Sequence, residues 1–235
     1  MTSDYLDSVA IIPARGGSKR VPRKNIALFD GEPIISYSIK TALSSGLFKR
    51  VLVSTDDEEI AAVARKYGAE TPFIRPSALA DDYATTADVM RHAATWLRSD
   101  EPSIKYACCL YATAPLTTPD DLRTAHRRLL QNSEIEMCVP VTTYDYPIQR
   151  ALRLADGDNI LFVEPDHLLS RSQDLEPAYH DTGQFYFGKL QRWLGTNGIF
   201  GHTAIGVKIE SWRVQDIDTQ EDWQRAELIY KLLQY

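Results

Sequence analysis

Val9-Ala10-Ile11-Ile12-Pro13-Ala14-Arg15-Gly16-Gly17-Ser18-Lys19-Arg20-Val21-Pro22-Arg23-Lys24-Asn25 is the stretch on which the fold of this 235-residue chain turns. Val9 to Pro13 is a short apolar run, the mark of a buried strand. After it come two glycines, which let backbone amides approach an anion, and five Arg or Lys side chains between Arg15 and Lys24. The spacing fits neither Gly-x-Gly-x-x-Gly nor the Walker A pattern, so dinucleotide and P-loop readings are excluded. The plain alternative is a solvated basic turn. Placement directly after a first buried strand favours a phosphate site, because open α/β sheets bind ligands at the carboxyl ends of their strands.

Outward from this loop, strand and helix alternate. A helix is expected from Pro33, with Ile35, Ile39, Ala42 and Leu43 on one face and Gly46 as its stop. A second strand spans 50–55. The next helix is expected to be capped by Asp56, with Glu59 closing a capping box and Ile60, Val63, Ala64 and Tyr67 inward. Residues 71–74 read as a short strand. Val89, Ala93, Trp96 and Leu97 form a helical stripe, and 107–111 another strand. Thr118, Pro119 and Asp121 open a helix with Leu122, Ala125 and Leu129 inward, before a strand at 137–141. The alternation implies one α/β domain over residues 1–235, its mostly parallel sheet covered on both faces. The loops after Pro13, Thr55 and Tyr111 should line the site. From Tyr144 to Lys189 the periodicity weakens, and the stretch reads as an excursion that rejoins the sheet near 184–187. A last helix from Thr219 places Trp223, Ala226, Tyr230 and Leu233 on one face.

The apolar share is 44 %, the charged share 25 % and the formal net charge −6. An acidic balance disfavours nucleic acid as a partner, since such binding needs many phosphates neutralised. An anionic ligand must be met by a local cluster of bases. Cys108, Cys109 and Cys138 sit in apolar runs without zinc-ligand spacing and read as reduced core cysteines. Residues 1–7 lack a basic segment before an apolar one, and no apolar run reaches the roughly 20 residues of a membrane helix. A cytoplasmic protein with no membrane partner is expected.

Two further features carry chemistry. In Asp216-Ile217-Asp218 an extended backbone puts both carboxylates on one face and Ile217 on the other. Paired carboxylates repel unless a cation sits between them, and a hard divalent ion that also binds phosphates resolves this. The alternative is that Asp218 caps the last helix, with Glu221 in the box position. The second feature joins Tyr146-Pro147-Ile148-Gln149-Arg150, Arg171-Ser172-Gln173-Asp174 and Tyr179-His180-Asp181-Thr182-Gly183-Gln184-Phe185-Tyr186. Its Arg, Gln, Tyr and His groups suit a carboxylate with hydroxyls or amides, and equally a polar subunit contact.

At this point the chain resembles the acylneuraminate cytidylyltransferases. The resemblance rests on Ile12 to Asn25, Val53-Ser54-Thr55-Asp56-Asp57, Arg75-Pro76 with Leu79-Ala80-Asp81-Asp82, Ala112-Thr113-Ala114-Pro115-Leu116 and Asp216-Ile217-Asp218-Thr219, in the family's order over nearly the whole chain. Within the family, Tyr146 to Leu152, Arg171 to Glu176 and Tyr179 to Tyr186 resemble the branch acting on pseudaminic acid. The sialic-acid branch carries a Gln where this chain has Tyr111, and an Asn-Gly pair where it has Thr182-Gly183.

The resemblance implies a Rossmann-like, three-layer nucleotidyltransferase fold and a homodimer formed through a protruding segment near 144–179. It implies magnesium-dependent transfer of CMP from CTP to an acidic nine-carbon sugar, with release of pyrophosphate. Arg15, Lys24, Asp216 and Asp218 are then the catalytic set, with Asp216 and Asp218 holding the metal. Ala14, Arg15, Gly16, Gly17, Ser18, Lys24, Asn25, Arg75 and Thr86 would contact the nucleotide. Tyr111, Gln149, Arg150, Arg171, Gln173, His180, Gln184 and Tyr186 would face the sugar. N-acetylneuraminic, legionaminic and ketodeoxyoctonic acids stay open as substrates, and a non-catalytic nucleotide- or sugar-binding module is the alternative from another class.

Overall fold

The computed structural model describes residues 7–196 and 198–234, so the reading of residues 1–6 lies outside the described residues. Along the chain run β1 (Ser8–Pro13), a hairpin of β2 (Leu28–Phe29) and β3 (Glu32–Pro33), α1 (Ile34–Ser45), β4 (Arg50–Ser54), α2 (Glu58–Lys66), α3 (Thr86–Asp100), β5 (Tyr106–Leu110), α4 (Pro119–Gln131) and β6 (Met137–Thr143). Then follow β7 (Leu152–Leu154), β8 (Ile160–Phe162), β9 (Tyr179–Asp181), β10 (Phe185–Lys189), α5 (Leu190–Leu194), β11 (Ala204–Lys208) and α6 (Gln220–Leu233).

The main sheet has the order β11-β6-β10-β5-β1-β4, with β9 paired to β6. Strands β4, β1, β5, β6 and β11 share one direction, while β10 and β9 run against it. Alternate side chains of β1 point into different cores. Ala10 and Ile12 pack with Ile35, Ile39, Ile60 and Leu122 from α1, α2 and α4, whereas Val9 and Ile11 pack with Met90, Leu97 and Trp193 from α3 and α5. The result is three layers, helix-sheet-helix. Cys108, Cys109 and Cys138 are free thiols buried within it, and burial pushes the Cys138 thiol up to about 12.

A third, smaller core decides the geometry of the site. Phe29 of the hairpin sits edge-on to Tyr37, Trp223 and Tyr230, and Val21, Ile34, Ile217 and Ala226 close around it. Through this cluster the basic loop, α1, the Asp216–Asp218 segment and α6 are packed as one unit.

Several local expectations change. Pro33 precedes α1 in extended conformation instead of starting it, and Leu43 faces solvent. Asp57, not Asp56, caps α2 by accepting the Ile60 N–H, because the Asp56 carboxylate accepts the Gly16 N–H. Residues 71–74 form no strand; only isolated bridges tie Glu70 to Leu52 and Ile74 to Thr55. Thr219 caps α6, with Asp222 completing the box, so neither Asp218 nor Glu221 serves there. The β2–β3 hairpin was legible in Asp30-Gly31, whose positive φ angles of 45° and 89° are those of a tight hairpin turn. The excursion holds a separate two-stranded sheet, β7 with β8.

Candidate active site

The parallel neighbours β4, β1 and β5 end on the same edge, so Thr55, Ala14 and Tyr111 emerge side by side. Because β10 is antiparallel to β5, its first residues reach that edge too, with Phe185 opposite Leu110. Strand β9 ends there against β6, with Asp181 opposite Val141. Two cavities open along this edge. The first is lined by Arg15, Ser18, Lys19, Arg20, Lys24, Asn25, Arg75, Asp81, Asp82 and Thr86, and the second by His180, Asp181, Thr182, Gly183, Tyr186, Gln215 and Asp216. Lys24, Tyr111, Thr113 and Asp218 line both, so the two cavities adjoin across these four residues.

The bases of the loop are not equivalent. Arg15 donates to the Asp81 carbonyl and to Asp82 Oδ1, each at 2.8 Å, and Lys19 pairs with the other oxygen of Asp82. Those two cations, Lys19 first, hold the Asp82 carboxyl below the ordinary aspartate range. Arg20 pairs with Asp218 at 2.9 Å. Lys24 donates to the Ile217 carbonyl at 2.6 Å and lies 3.5 Å from Asp218 Oδ1. Arg23 turns away from the cavity, in left-handed conformation, and braces Asp57 and Glu59. Asn25 donates to the Arg15 carbonyl at 2.8 Å and so holds the loop closed.

Gly16 and Gly17 line neither cavity. The Gly16 amide is taken by Asp56, and a Cβ at Gly16 would stand 2.7 Å from Asp57 Oδ2. Glycine is needed at 16 because the α2 cap approaches it closely. The loop after Thr55 thus braces the basic loop from behind, while Ala14 is buried and donates to the Ser54 carbonyl.

Arg75 is 4 % exposed and lines the first cavity. It donates to the Ser54 and Leu79 carbonyls, and its Nε has no partner among the described residues. Burial pulls its guanidinium below the ordinary arginine range, partly offset by Asp56.

The Asp216 carboxyl lies above the ordinary aspartate range. Partial desolvation by the packed chain around it is the main cause, although the residue keeps solvent exposure, and the Asp218 carboxylate is the next, against a smaller opposite pull from Lys24. Ile217 between them is fully buried in the small core, which fixes both carboxylates on one face.

On the second cavity, the Tyr111 and Thr86 hydroxyls are 2.8 Å apart, and the Tyr111 and Tyr186 rings meet edge to face at 5.9 Å. Tyr186 donates to Asp181. His180 lines this wall, its Nδ1 2.9 Å from the Asp181 carbonyl. Gln184 does not line it: it is buried, and its Nε2 donates to the Arg213 carbonyl at 3.0 Å. Gln149, Arg150, Arg171 and Gln173 line neither cavity. Gln149 donates to the Glu176 carbonyl, Arg150 to Ser172, and Arg171 pairs with Asp174, all within the excursion.

Sequence reading left out Thr113, which lines both cavities, along with Arg20, Asp82, Asp181 and Gln215. Thr113 and Asp82 lay inside stretches already singled out. Asp181 had a signal in its place beside His180 just before a returning strand. Gln215 had none.

The chain matches the sequence pattern of the cytidylyltransferase family over residues 9–229. It is 46 % identical to the pseudaminic acid cytidylyltransferase of Campylobacter jejuni over 97 % of both chains. It is 32 % identical to the N-acylneuraminate cytidylyltransferase of Escherichia coli over 93 % of this chain and 51 % of that one. In fold it is similar to a CMP:2-keto-3-deoxy-manno-octonic acid synthetase solved with CTP, with a TM-score of 0.70, 15 % identity and coverage of 96 % of this chain and 99 % of the other. A basic loop and a carboxylate pair meeting at the carboxyl edge of such a sheet, in a chain that carries this pattern nearly end to end, make it a member of the cytidylyltransferase family.

Proposed function

We propose that the protein transfers CMP from CTP to pseudaminic acid, a nine-carbon sugar acid, releasing pyrophosphate. The observation that carries this reading is the adjacency of the two cavities, which share Lys24, Tyr111, Thr113 and Asp218. One side offers cations to a triphosphate nucleotide, the other offers hydroxyls and carboxylates to a sugar. The choice of acid rests on the 46 % identity reported above.

In the reaction the anomeric oxygen forms a bond to the α-phosphorus, the bond from that phosphorus to the bridging oxygen breaks, and pyrophosphate leaves. The hydroxyl proton is lost to a base. Such chemistry depends on positioning and charge stabilisation. Arg15, Lys19 and Lys24 take the phosphates, with the Ser18 side of the loop beside them. For Arg15 and Lys19 this means exchanging the Asp82 carboxylate for phosphate oxygens. Arg75, Asn25 and Thr86 line the part of the cavity assigned to the nucleoside. Tyr111, His180 and Tyr186 face the sugar.

The donor set fits a magnesium ion. Asp216 and Asp218 are two carboxylates in mutual repulsion, and among the described residues no group of three or more His, Cys, Asp or Glu forms a complete protein cage. Magnesium typically takes one or two carboxylates and completes its shell with water and phosphate oxygens. When bound it would supply positive charge to the phosphates and ease loss of the hydroxyl proton.

We further propose a homodimer formed through residues 144–179, in the cytoplasm where CTP is made. Leu152, Leu154, Ile160 and Leu169 are exposed there, and Leu169 is 92 % exposed. Gln149, Arg150, Arg171 and Gln173 are assigned to that interface, where they reach the partner's cavity. The product would be the donor for glycosylating flagellin or a surface polysaccharide.

The test is pyrophosphate release with CTP against pseudaminic, legionaminic, N-acetylneuraminic and ketodeoxyoctonic acids, with and without magnesium. Highest kcat/KM for pseudaminic acid, dependent on magnesium, is expected. Preference for another acid refutes the choice of sugar, and CTP binding without turnover on any of them refutes the catalytic reading.

A further inference from the structure

We infer that Asp181 is a specificity-determining residue of the second cavity, which selects sugar substituents that donate hydrogen bonds and turns the sugar's own carboxylate away. The inference rests on the second cavity being the sugar site.

The geometry fixes what this wall can offer. Asp181 Oδ1 accepts the Gly183 N–H at 2.9 Å, and Oδ2 accepts the Tyr186 hydroxyl. An ionised carboxylate has about four acceptor positions, so each oxygen keeps one free after these bonds. Tyr186, having given its only hydroxyl proton to Asp181, can offer that oxygen to a ligand only as an acceptor. Both groups line the cavity, and both therefore present lone pairs. A wall of acceptors recognises N–H donors, and the acylamino substituents of the sugar acid are the donors assigned to it.

Asp181 is also held in place from several sides. It pairs in register with Val141, and the Tyr186 ring it orients is 5 % exposed and packed edge-on to Tyr111. A carboxylate fixed in this way repels another carboxylate. The acid group of the substrate is therefore directed from this wall toward the cationic part of the site, where Lys24 stands. A site built to bond a donor discriminates strongly against an analogue lacking it, because its own buried groups are left unpaired.

The test compares wild type and Asp181→Asn, with CTP and two acids, one bearing acylamino groups (pseudaminic acid) and one lacking them (ketodeoxyoctonic acid). Asp181→Asn should raise KM for the acylamino acid by roughly tenfold or more, leave KM for CTP within about twofold, and shrink the kcat/KM ratio between the two acids. Tyr186→Phe combined with Asp181→Asn should be non-additive, since each change frees the other's partner. Unchanged KM and ratio in Asp181→Asn, with wild type active on pseudaminic acid, overturns this inference and leaves the proposed function standing. Equal losses toward CTP and sugar assign Asp181 to holding the turn before β10, and also overturn it. A wild type inactive on every acid removes the functional reading and this inference with it.

Discussion

Asp216 is held in surroundings that oppose its charge. Its folded carboxyl lies above the ordinary aspartate range through partial desolvation and Asp218. A carboxyl raised on folding costs stability once pH exceeds the unfolded value of about 3.9, and costs nothing below it, where both states are protonated. Asp216 is itself solvent-exposed, which screens this effect, so Asp216→Asn should raise the melting temperature of the ligand-free protein at pH 7 only slightly, with the gain vanishing near pH 3. The same change should lower pyrophosphate release about a hundredfold, as expected for one preorganised charged contact. Arg15→Ala should show a similar loss of rate, because Arg15 is a cation at the first cavity whose present partners are replaceable acceptors. Melting curves and steady-state rates check the three outcomes separately. A lower melting temperature for Asp216→Asn at pH 7 would show that Asp216 stabilises the ligand-free fold.

The basic loop stays open toward the cavity because other elements hold its back. Gly16 lies against Asp57, whose carboxylate is already committed to the α2 cap and to Arg23, which holds it below the ordinary range. Gly16→Ala should cost about 1–3 kcal/mol by forcing that carboxylate aside, seen as a lower urea midpoint. On the other flank, Ile217 anchors the carboxylate pair in the small core with Val21, Phe29 and Trp223. Ile217→Ala should cost about 2–5 kcal/mol, in the range of Leu97→Ala, an equally buried residue of the α3 core. The two should differ in function. Ile217→Ala should also reduce kcat/KM, measured well below the unfolding transition, because the pair loses its fixed face, and Leu97→Ala should leave it near wild type.

For the molecule as a whole, the segment carrying Asp216 is tied to the first turn of α4. Arg213 donates to both oxygens of Asp121 at 2.9 Å, and each side chain is about 10 % exposed. Burial alone would raise the Asp121 carboxyl, but Arg213 and Thr118 hold it below the ordinary range. That contribution is present above the unfolded aspartate value and lost as pH falls through the folded one. Arg213→Ala leaves a buried carboxylate unpaired and should cost about 3–5 kcal/mol at pH 7, a penalty that shrinks on acidification. Urea unfolding at pH 7 and pH 3 reads both. Within residues 144–179, the exposed apolar residues of β7 and β8 predict that a variant carrying Leu152→Lys, Leu154→Glu and Ile160→Lys sediments as a monomer while wild type sediments as a dimer.

What the sequence by itself determined is local. The buried run before Ala14, the bases between Arg15 and Lys24, the opening of a helix at Thr118, and the alternation of Asp216, Ile217 and Asp218 depend on neighbours a few residues apart, and periodicity records them. The assignment of partners was decided only in the tertiary structure. Five bases looked alike in sequence, yet Arg23 braces α2 while Arg15, Lys19, Arg20 and Lys24 line the cavity. Gln184 and Asp181 stand three residues apart. One is buried against Arg213 and the other lines the second cavity, because β10 enters antiparallel between β5 and β6. Strand order and direction arise from contacts between residues far apart in the chain, and no local period carries that information.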